Sequence, residues 1–361
     1  MTTRRWVLLI AAALLLAGAA LYSYQRGADV NATRAALLGL MPADASTVFF
    51  ADVSEVRNSA FLEAIYNWAP HPQMDPEYAR FARDTGFDYE RDLDRVALAV
   101  ITRGNDTAVF AVADGRFDRQ KIEAYASQAG SRVSHDGRPI FSMPLNGASK
   151  NISVTFLRDD RIALSDSHDL QALLKQSASS DDVRQWQQRF ERLAGSPVFA
   201  VIRQDSGAGS AFASRAPGGL QSPQLASLLN QLSWITVAGK PDQDRLRIVA
   251  EGECLEDRTA RQLNDLLNGM LVMAHAGLNG PDLRRGLDPK ARDAYLEILR
   301  SADVTRIDRD ETKSVRVVLD VTPKLLEAAS SMKPAQVSSP SPAAESIRTT
   351  RDRGKSHKTA R

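Results

Sequence analysis

The chain contains a single cysteine, Cys254, among its 361 residues. One cysteine excludes an intramolecular disulfide, and it leaves no set of thiolates for a structural zinc site. Cys254 follows an apolar strand-like run and aligns with Phe117 of a related segment. We therefore expect Cys254 to be a small buried hydrophobic residue and not a catalytic thiol.

Common catalytic motifs are also missing. The sequence has no G-x-S-x-G elbow, no S-x-x-K set and no G-x-x-x-x-G-K-[ST] loop. The segment 205–210, DSGAGS, follows a strand but lacks the lysine of a phosphate-binding loop. No two histidines are three to five residues apart, as a helical zinc pair requires; they are His71, His135, His168, His275 and His357. The sequence therefore predicts no catalytic residue, no cofactor and no metal site.

Acidic residues cluster at 88–94, at Asp159-Asp160 and at 308–311. None of these clusters has the twelve-residue ligand pattern of a calcium loop, with glycine sixth and glutamate twelfth. The two carboxylates of a glycosidase meet in space and not in sequence, so a catalytic carboxylate pair stays an alternative.

Charge is nearly balanced, with 46 basic and 44 acidic residues. The basic excess lies at the two ends. Residues 1–34 hold four arginines and one aspartate, and 336–361 hold six basic and two acidic residues. The body between them is mildly acidic, so we expect no nucleic-acid partner.

Residues 6–22, WVLLIAAALLLAGAALY, form an uncharged run behind Arg4 and Arg5. A bilayer span needs about 20 apolar residues, and the aromatic residues at both ends of the run suit the membrane interfaces. The preceding arginines favour an N-terminus on the inside. The sequence predicts a single-pass protein of the inner (cytoplasmic) membrane with an extracytoplasmic body, and its partner through 6–22 is the lipid bilayer.

A cleaved secretory signal is the alternative for this segment, because Ala17-Gly18-Ala19 resembles a cleavage site. The apolar run continues past that site to Tyr22, which favours the uncleaved anchor. Both interpretations place the body outside the cytoplasm.

Two stretches of the body resemble each other: RVALAVITRGNDTAVFAVADGRF from Arg95 and LSWITVAGKPDQDRLRIVAEGEC from Leu232. An ungapped alignment pairs Gly115 with Gly252. Each stretch predicts a β-hairpin, the second turning at 240–243. The phrase SPVFAVIRQ from Ser196 similarly matches the strand that opens the body. The chain thus reads as a duplicated unit.

The predicted organisation follows from these repeats. It comprises an anchor or signal (1–28), a stem (29–41), a first α+β repeat (42–178), a connecting helix (179–195), a second α+β repeat (196–333) and a disordered basic tail (334–361). The predicted fold class is α+β: two related halves, each an antiparallel sheet with helices packed on one face, after an N-terminal transmembrane helix.

Helix caps give the finer predictions. Ser54 is expected to cap a helix that runs to about Trp68. Asp118 is expected to cap one that ends before Gly130, and Asp288-Pro289 to begin another. A long helix is expected from about Glu256 to Ala274.

The phrases MPADASTVFFADV, GFDYERDLDRVALAV and VFAVADGRFDRQKI resemble a group of uncharacterised bacterial membrane-anchored envelope proteins. Members of this group open their outer portion with a Leu-Pro-Ala-Asp phrase; here Met41 stands in place of the leucine. The resemblance implies an envelope protein of duplicated α+β type. It implies no activity and transfers no site residues.

The sequence therefore favours a non-enzymatic interaction or scaffold module of the bacterial envelope, with a groove between lobes or a sheet edge engaging an envelope protein partner. Two alternatives stay open. One is a hydrolase or transferase acting on cell-wall or lipid material through a carboxylate pair in the inter-lobe groove. The other is a lipid-binding protein with an apolar cavity.

Overall fold

The computed structural model describes residues 33–67, 75–104, 106–135, 137–144, 151–167, 169–175, 180–193, 195–204, 223–281, 288–309 and 312–331. The predicted anchor 6–22 and the predicted tail 334–361 lie outside these ranges and stay predictions. Among the helices in these ranges, none combines the length and the hydropathy that a bilayer span requires.

Strands supply the frame of the body. They are β1 (Ala45–Asp52), β2 (Leu93–Arg103), β3 (Asp106–Gly115), β4 (Ser131–His135), β5 (Arg138–Pro144), β6 (Asn151–Arg158), β7 (Arg161–Ser165), β8 (Val198–Arg203), β9 (Leu232–Asp242), β10 (Arg245–Cys254), β11 (Asp303–Asp308) and β12 (Lys313–Val321). Of these, β4 was missed by sequence reasoning because SRVSH is mostly polar.

Helices connect and cover the strands. They are α1 (33–38), α2 (Val53–Arg57), α3 (Ala60–Tyr66), α4 (Pro76–Thr85), α5 (Tyr89–Asp92), α6 (Arg119–Ala129), α7 (Leu170–Lys175), α8 (Ser180–Arg192), α9 (Pro223–Leu229), α10 (Asp257–Asn279), α11 (Pro289–Ser301) and α12 (Pro323–Ser331). The long helix predicted to end near Ala274 continues to Asn279 as α10.

Most helix starts follow their predicted caps. Asp118 accepts the backbone N–H of Lys121 at the start of α6, and Asp288 caps α11, which has proline at its first position. The prediction at Ser54 was wrong. Asp52 caps α2, and its Oδ1 also accepts the Ser54 hydroxyl at 2.7 Å. A separate helix, α3, then begins after the cap at Ser59.

The two halves form one sheet and not two. The twelve strands of the described residues lie in the order β11-β12-β10-β9-β8-β1-β2-β3-β7-β6-β5-β4, and each strand pairs antiparallel with the next one in this order. This overturns the prediction of a separate sheet in each half. It also removes the predicted groove between two lobes, because backbone hydrogen bonds run without a break from one half to the other.

The seam between the halves is the pairing of β1 with β8. Phe49 lies opposite Ala200, and Phe50 lies opposite Phe199. The rings of Phe50 and Phe199 stack with centroids 5.2 Å apart. Phe50 and Phe199 therefore point to the same face of the sheet, and their contact lies on the seam between the halves.

The related hairpins match in length but not in the predicted alignment. Strands β2 and β9 have 11 residues each, and β3 and β10 have 10 each. Gly115 ends β3 and Cys254 ends β10, so these two correspond, and Gly252 does not match Gly115. The second turn lies after Asp242, with Gln243 at a φ of 57°. A two-residue error leaves every side chain on its expected face, which is why the alignment appeared sound.

Helices cover both faces of the sheet, against the prediction of one. On β10, Leu246 and Ile248 pack with residues of α11 and α12. Glu251 and Glu253, which point to the opposite face, contact α8. We call these the α10 face, covered by α9 to α12, and the α8 face, covered by α1, α7 and α8. A sheet covered on both sides needs apolar residues at nearly every central position, as β1 and β8 have.

Candidate functional site: an arginine–glutamate cluster

Four arginines meet two glutamates on the α8 face of the second half. We call this set the arginine–glutamate cluster: Arg189 and Arg192 on α8, Glu251 and Glu253 on β10, Arg309 after β11, and Arg316 on β12. The arginines of α8 are three residues apart, so both project from one side of the helix. The glutamates are two apart on a strand, so both project from one face of the sheet.

Glu253 is almost fully buried, with 2% of its surface exposed. Its Oε2 accepts a hydrogen bond from Nη2 of Arg189 at 2.5 Å, and its Oε1 accepts one from Nη1 of Arg192 at 2.6 Å. Both carboxylate oxygens are therefore held by guanidinium groups of the connecting helix. Charge-assisted bonds of this kind are the strong ones in proteins.

Glu251 is bound by the other two arginines. Arg309 donates to both of its carboxylate oxygens, at 2.5 and 3.1 Å, and Arg316 donates to Oε2 at 2.9 Å. Burial favours the neutral form of Glu251, but the hydrogen bonds from Arg309 and Arg316 outweigh it and hold its pKa below the usual range. Glu251 is thus an ionised carboxylate with both oxygens engaged.

Aromatic rings close one side of the cluster. The guanidinium carbon of Arg189 lies 3.9 Å from the ring centroid of Trp234, and Trp186 packs edge-on against Trp234 at 5.0 Å. Burial lowers the pKa of Arg189, while the charge of Glu253 opposes that change. A cation on an indole face in such a dry setting is a favourable contact of about 2 kcal/mol.

The pairing of the glutamates with arginines limits the catalytic roles that this cluster can have. A general acid needs a carboxyl group with a raised pKa, and a general base needs a free lone pair facing a substrate. The carboxylate oxygens of Glu251 and Glu253 are already bonded to arginines, so neither group faces a substrate freely. The cluster instead ties α8, the connecting helix, to β10 and β12 of the second half.

A row of charged residues also crosses the first half of the α8 face. Asp52, Arg95, Asp114 and Arg161 lie opposite one another in register on β1, β2, β3 and β7. Arg95 donates to Asp52 at 3.0 Å, and Arg161 makes two bonds to Asp114, at 2.6 and 2.9 Å. Charges of alternating sign on adjacent strands specify the strand register.

Glu55 is the one carboxyl group of the described residues whose pKa is clearly raised. Loss of solvent around its carboxyl group is the larger cause, and the nearby charge of Asp52 adds to it. Asp52 itself caps α2 and binds Arg95, so its oxygens are occupied. A catalytic carboxylate pair requires a second free group, and Asp52 does not supply one.

Other residues considered in the sequence stand apart from these clusters. His135 ends strand β4, and His275 lies in α10. His71, His168 and His357 lie outside the described residues, as does the segment 205–210. Within the described ranges no group of three or more histidine, cysteine, aspartate or glutamate residues is arranged to hold a metal ion.

Cys254 lies in an apolar cluster with residues of α9 and α10, as expected of a small hydrophobic residue. Burial raises the pKa of its thiol to about 11. A thiol with such a pKa is protonated near neutrality and is a poor nucleophile.

Sequence reasoning missed the arginine–glutamate cluster, because its partners are 58 to 65 residues apart in the chain. One signal was present. Glu251 and Glu253 lie two residues apart, and thus on one face, in a strand whose central residues are apolar. Acidic residues on the inward face of a central strand require buried cations as partners.

Comparison with known proteins gives little further guidance. No protein-family model matches the chain, and no curated protein matches it. Two solved structures, crystal forms I and IV of TP0453, have 11% and 10% sequence identity and TM-scores of 0.40 and 0.41. Each alignment covers 82% of this chain and 96% of the other. A similarity at this level supports no argument about fold or function.

Proposed function

We propose that the protein is a membrane-anchored extracytoplasmic module of the bacterial envelope that binds a partner and catalyses no reaction. The uncharged run 6–22 is its anchor, with the N-terminus inside the cell. Its described body is a single sheet stiffened by ion pairs.

The observation that carries this proposal is that both glutamates of the arginine–glutamate cluster are already paired with arginines. Each carboxylate oxygen of Glu251 and Glu253 is engaged by an arginine at 2.5 to 3.1 Å. A catalytic site of the same composition would leave at least one group free toward substrate. These charges therefore serve to fix the connecting helix to the sheet.

An edge strand offers a docking surface for a protein partner. Strand β4 ends the sheet on the side of the first half, and Val133 at its middle is 59% exposed. An edge strand presents backbone N–H and C=O groups that a strand of another chain can pair with. Strand β4 carries one arginine, Arg132, and Val133 beside it gives the edge an exposed apolar contact point.

The experiment is crosslinking of the full-length protein in its own membranes, with a photoreactive residue placed at Val133. We expect a discrete adduct with an envelope protein. An excess of unlabelled wild-type protein should compete this adduct away, whereas an excess of unlabelled Val133→Lys protein should not, because the lysine adds charge to the edge. A photoreactive residue at Leu255, which is 71% exposed and away from β4, is the matched control. Equal labelling at both positions would contradict docking at β4.

The hydrolase alternative is tested with purified full-length protein. If the purified full-length protein cleaves cell-wall or phospholipid material and Glu55→Gln removes that activity, the non-catalytic proposal fails.

A further inference from the structure

Helix α10 extends past the body that it packs on. Its buried residues, Thr259, Ala260 and Leu263, all lie in its first third. Leu266 and Met270 pack partly against the core on the α10 face. Beyond Met270 no residue of the helix is buried.

The free end of α10 is apolar and uncharged. Residues 266–281, LLNGMLVMAHAGLNGP, contain no aspartate, glutamate, lysine or arginine. Val272 and Met273 are among the large hydrophobic residues most exposed in the described structure, at 68% and 75%. We call 266–279 the apolar end of α10. Exposed apolar surface of this kind in a folded protein marks a site of contact with a partner or a membrane.

The shape of this surface indicates what covers it. Leu266, Met270, Met273 and Gly277 follow one another at helical spacing, so the stripe that packs on the body continues uncovered. Val272 and Met273 are successive, and their side chains point about 100° apart around the helix axis. A single protein surface covers one face of a helix, whereas a lipid layer surrounds the helix and accommodates both.

The length of the segment is also informative. Fourteen helical residues extend about 21 Å, less than the roughly 30 Å of a hydrocarbon core. The segment therefore cannot span a bilayer, but it can lie within one leaflet as interfacial helices do. Asn268 and Asn279 lie on the same side of the helix as Val272, and their side-chain amides donate to the carbonyls of Asn264 and His275, so these donors are already bonded.

We propose that the apolar end of α10 inserts into the outer leaflet of the membrane that the anchor crosses. This inference rests on the proposed function, because the anchor 6–22 is what holds the body beside a bilayer. The body would then contact the membrane at two places, the anchor and α10. Two contacts fix the orientation of the body, and one tether does not.

The test uses full-length protein reconstituted in vesicles of phosphatidylethanolamine and phosphatidylglycerol. A polarity-sensitive fluorophore is attached at Met273→Cys, and the matched control carries it at Gln262→Cys. Gln262 is exposed and lies eleven residues, or three turns, earlier on nearly the same side of α10. Native Cys254 is buried with a raised thiol pKa, so the dye labels the introduced cysteine.

Brominated acyl chains then report contact with lipid. We expect them to quench the label at 273 and leave the label at 262 unquenched, with blue-shifted emission at 273 alone. A label at 273 that is quenched by aqueous iodide as strongly as the label at 262 would overturn the inference. So would energy transfer between labels at 273 on separate copies without lipid quenching, which would mean that a second copy covers the helix.

A third label, at Ala12→Cys in the predicted span, separates the two proposals. Quenching by lipid at 12 but not at 273 would overturn insertion of α10 and leave the anchor standing. Absence of lipid quenching at both positions would overturn the anchor and the insertion together.

Discussion

The ion pair of Arg161 with Asp114 should be among the most sensitive points of the first half. Both side chains are less than 10% exposed, and two hydrogen bonds of 2.6 and 2.9 Å join them. Replacing Asp114 with asparagine would leave the guanidinium of Arg161 buried without its counter-charge. Removing one partner of a buried pair costs about 3–5 kcal/mol, because an uncompensated charge stays inside.

The magnitude can be checked against a matched exposed pair on the neighbouring turn. Arg158 and Asp160 make bonds of 3.0 and 3.1 Å, but their side chains are 56% and 64% exposed. Asp160→Asn should cost less than about 1 kcal/mol, since water screens the pair and replaces it. The two variants thus change the same chemical group at similar distances and differ in burial.

The assay is equilibrium unfolding in urea, followed by circular dichroism, for both variants and for Arg161→Met with and without Asp114→Asn. We expect the Asp114→Asn/Arg161→Met double variant to be more stable than Asp114→Asn alone, because it buries no unpaired charge. If Asp114→Asn lowers the free energy of unfolding no more than Asp160→Asn does, the argument from burial is refuted.

Three further predictions concern glycine, pH and the thiol. Gly130→Ala should destabilise the protein by more than about 2 kcal/mol, because the added Cβ would clash with the backbone oxygen of Ser142. Gly269→Ala, which has open space around it, should stabilise the protein by about 0.5–1 kcal/mol. Urea unfolding of the two variants should therefore give changes of opposite sign. A hydrogen bond from Arg91 is the main cause that lowers the pKa of Asp92 to about 2. Asp92 therefore contributes up to about 2 kcal/mol to the free energy of unfolding above its unfolded pKa, near 4, and this contribution is lost as the pH falls from about 4 to 2. Unfolding measured across this pH range should show a smaller loss of stability for Asp92→Asn than for the wild type. Cys254 should react with a maleimide dye far more slowly in the native protein than in urea, and equal rates would contradict its burial.

Local structure was largely predictable because its causes are local. Asp118, Asp288 and Pro289 begin helices by capping and by fixed φ, which depend on a few neighbouring residues. The hairpin strands were predicted because apolar and polar residues alternate along them. The end of α6 before Gly130 was also predicted correctly, but the glycine is not there for a left-handed turn, since its φ is −155°. Glycine is needed because the backbone of β5 approaches this position closely.

The joining of the halves could not be predicted from local pattern. Paired residues of β1 and β8 are 147 to 155 positions apart in the chain. The sequence of a strand buried on both faces does not show whether the strand lies at the end of one sheet or in the middle of a larger one. The arginine–glutamate cluster escaped prediction for a similar reason, since α8 brings its arginines to β10 only after the whole sheet is assembled. Long-range pairing decides both features.

The central claim is that one sheet runs through the β1–β8 seam, and native-state amide hydrogen exchange tests it most directly. If the claim holds, β1 and β8 each have a hydrogen-bonded strand on both sides, so all of their amides are bonded. The N–H of Asp52, for example, donates to the carbonyl of Pro197. They should then exchange only with global unfolding, far more slowly than those of the edge strand β4. Two separate sheets would make β1 and β8 edge strands, and every second amide in them would exchange as fast as in β4; that result would contradict the account.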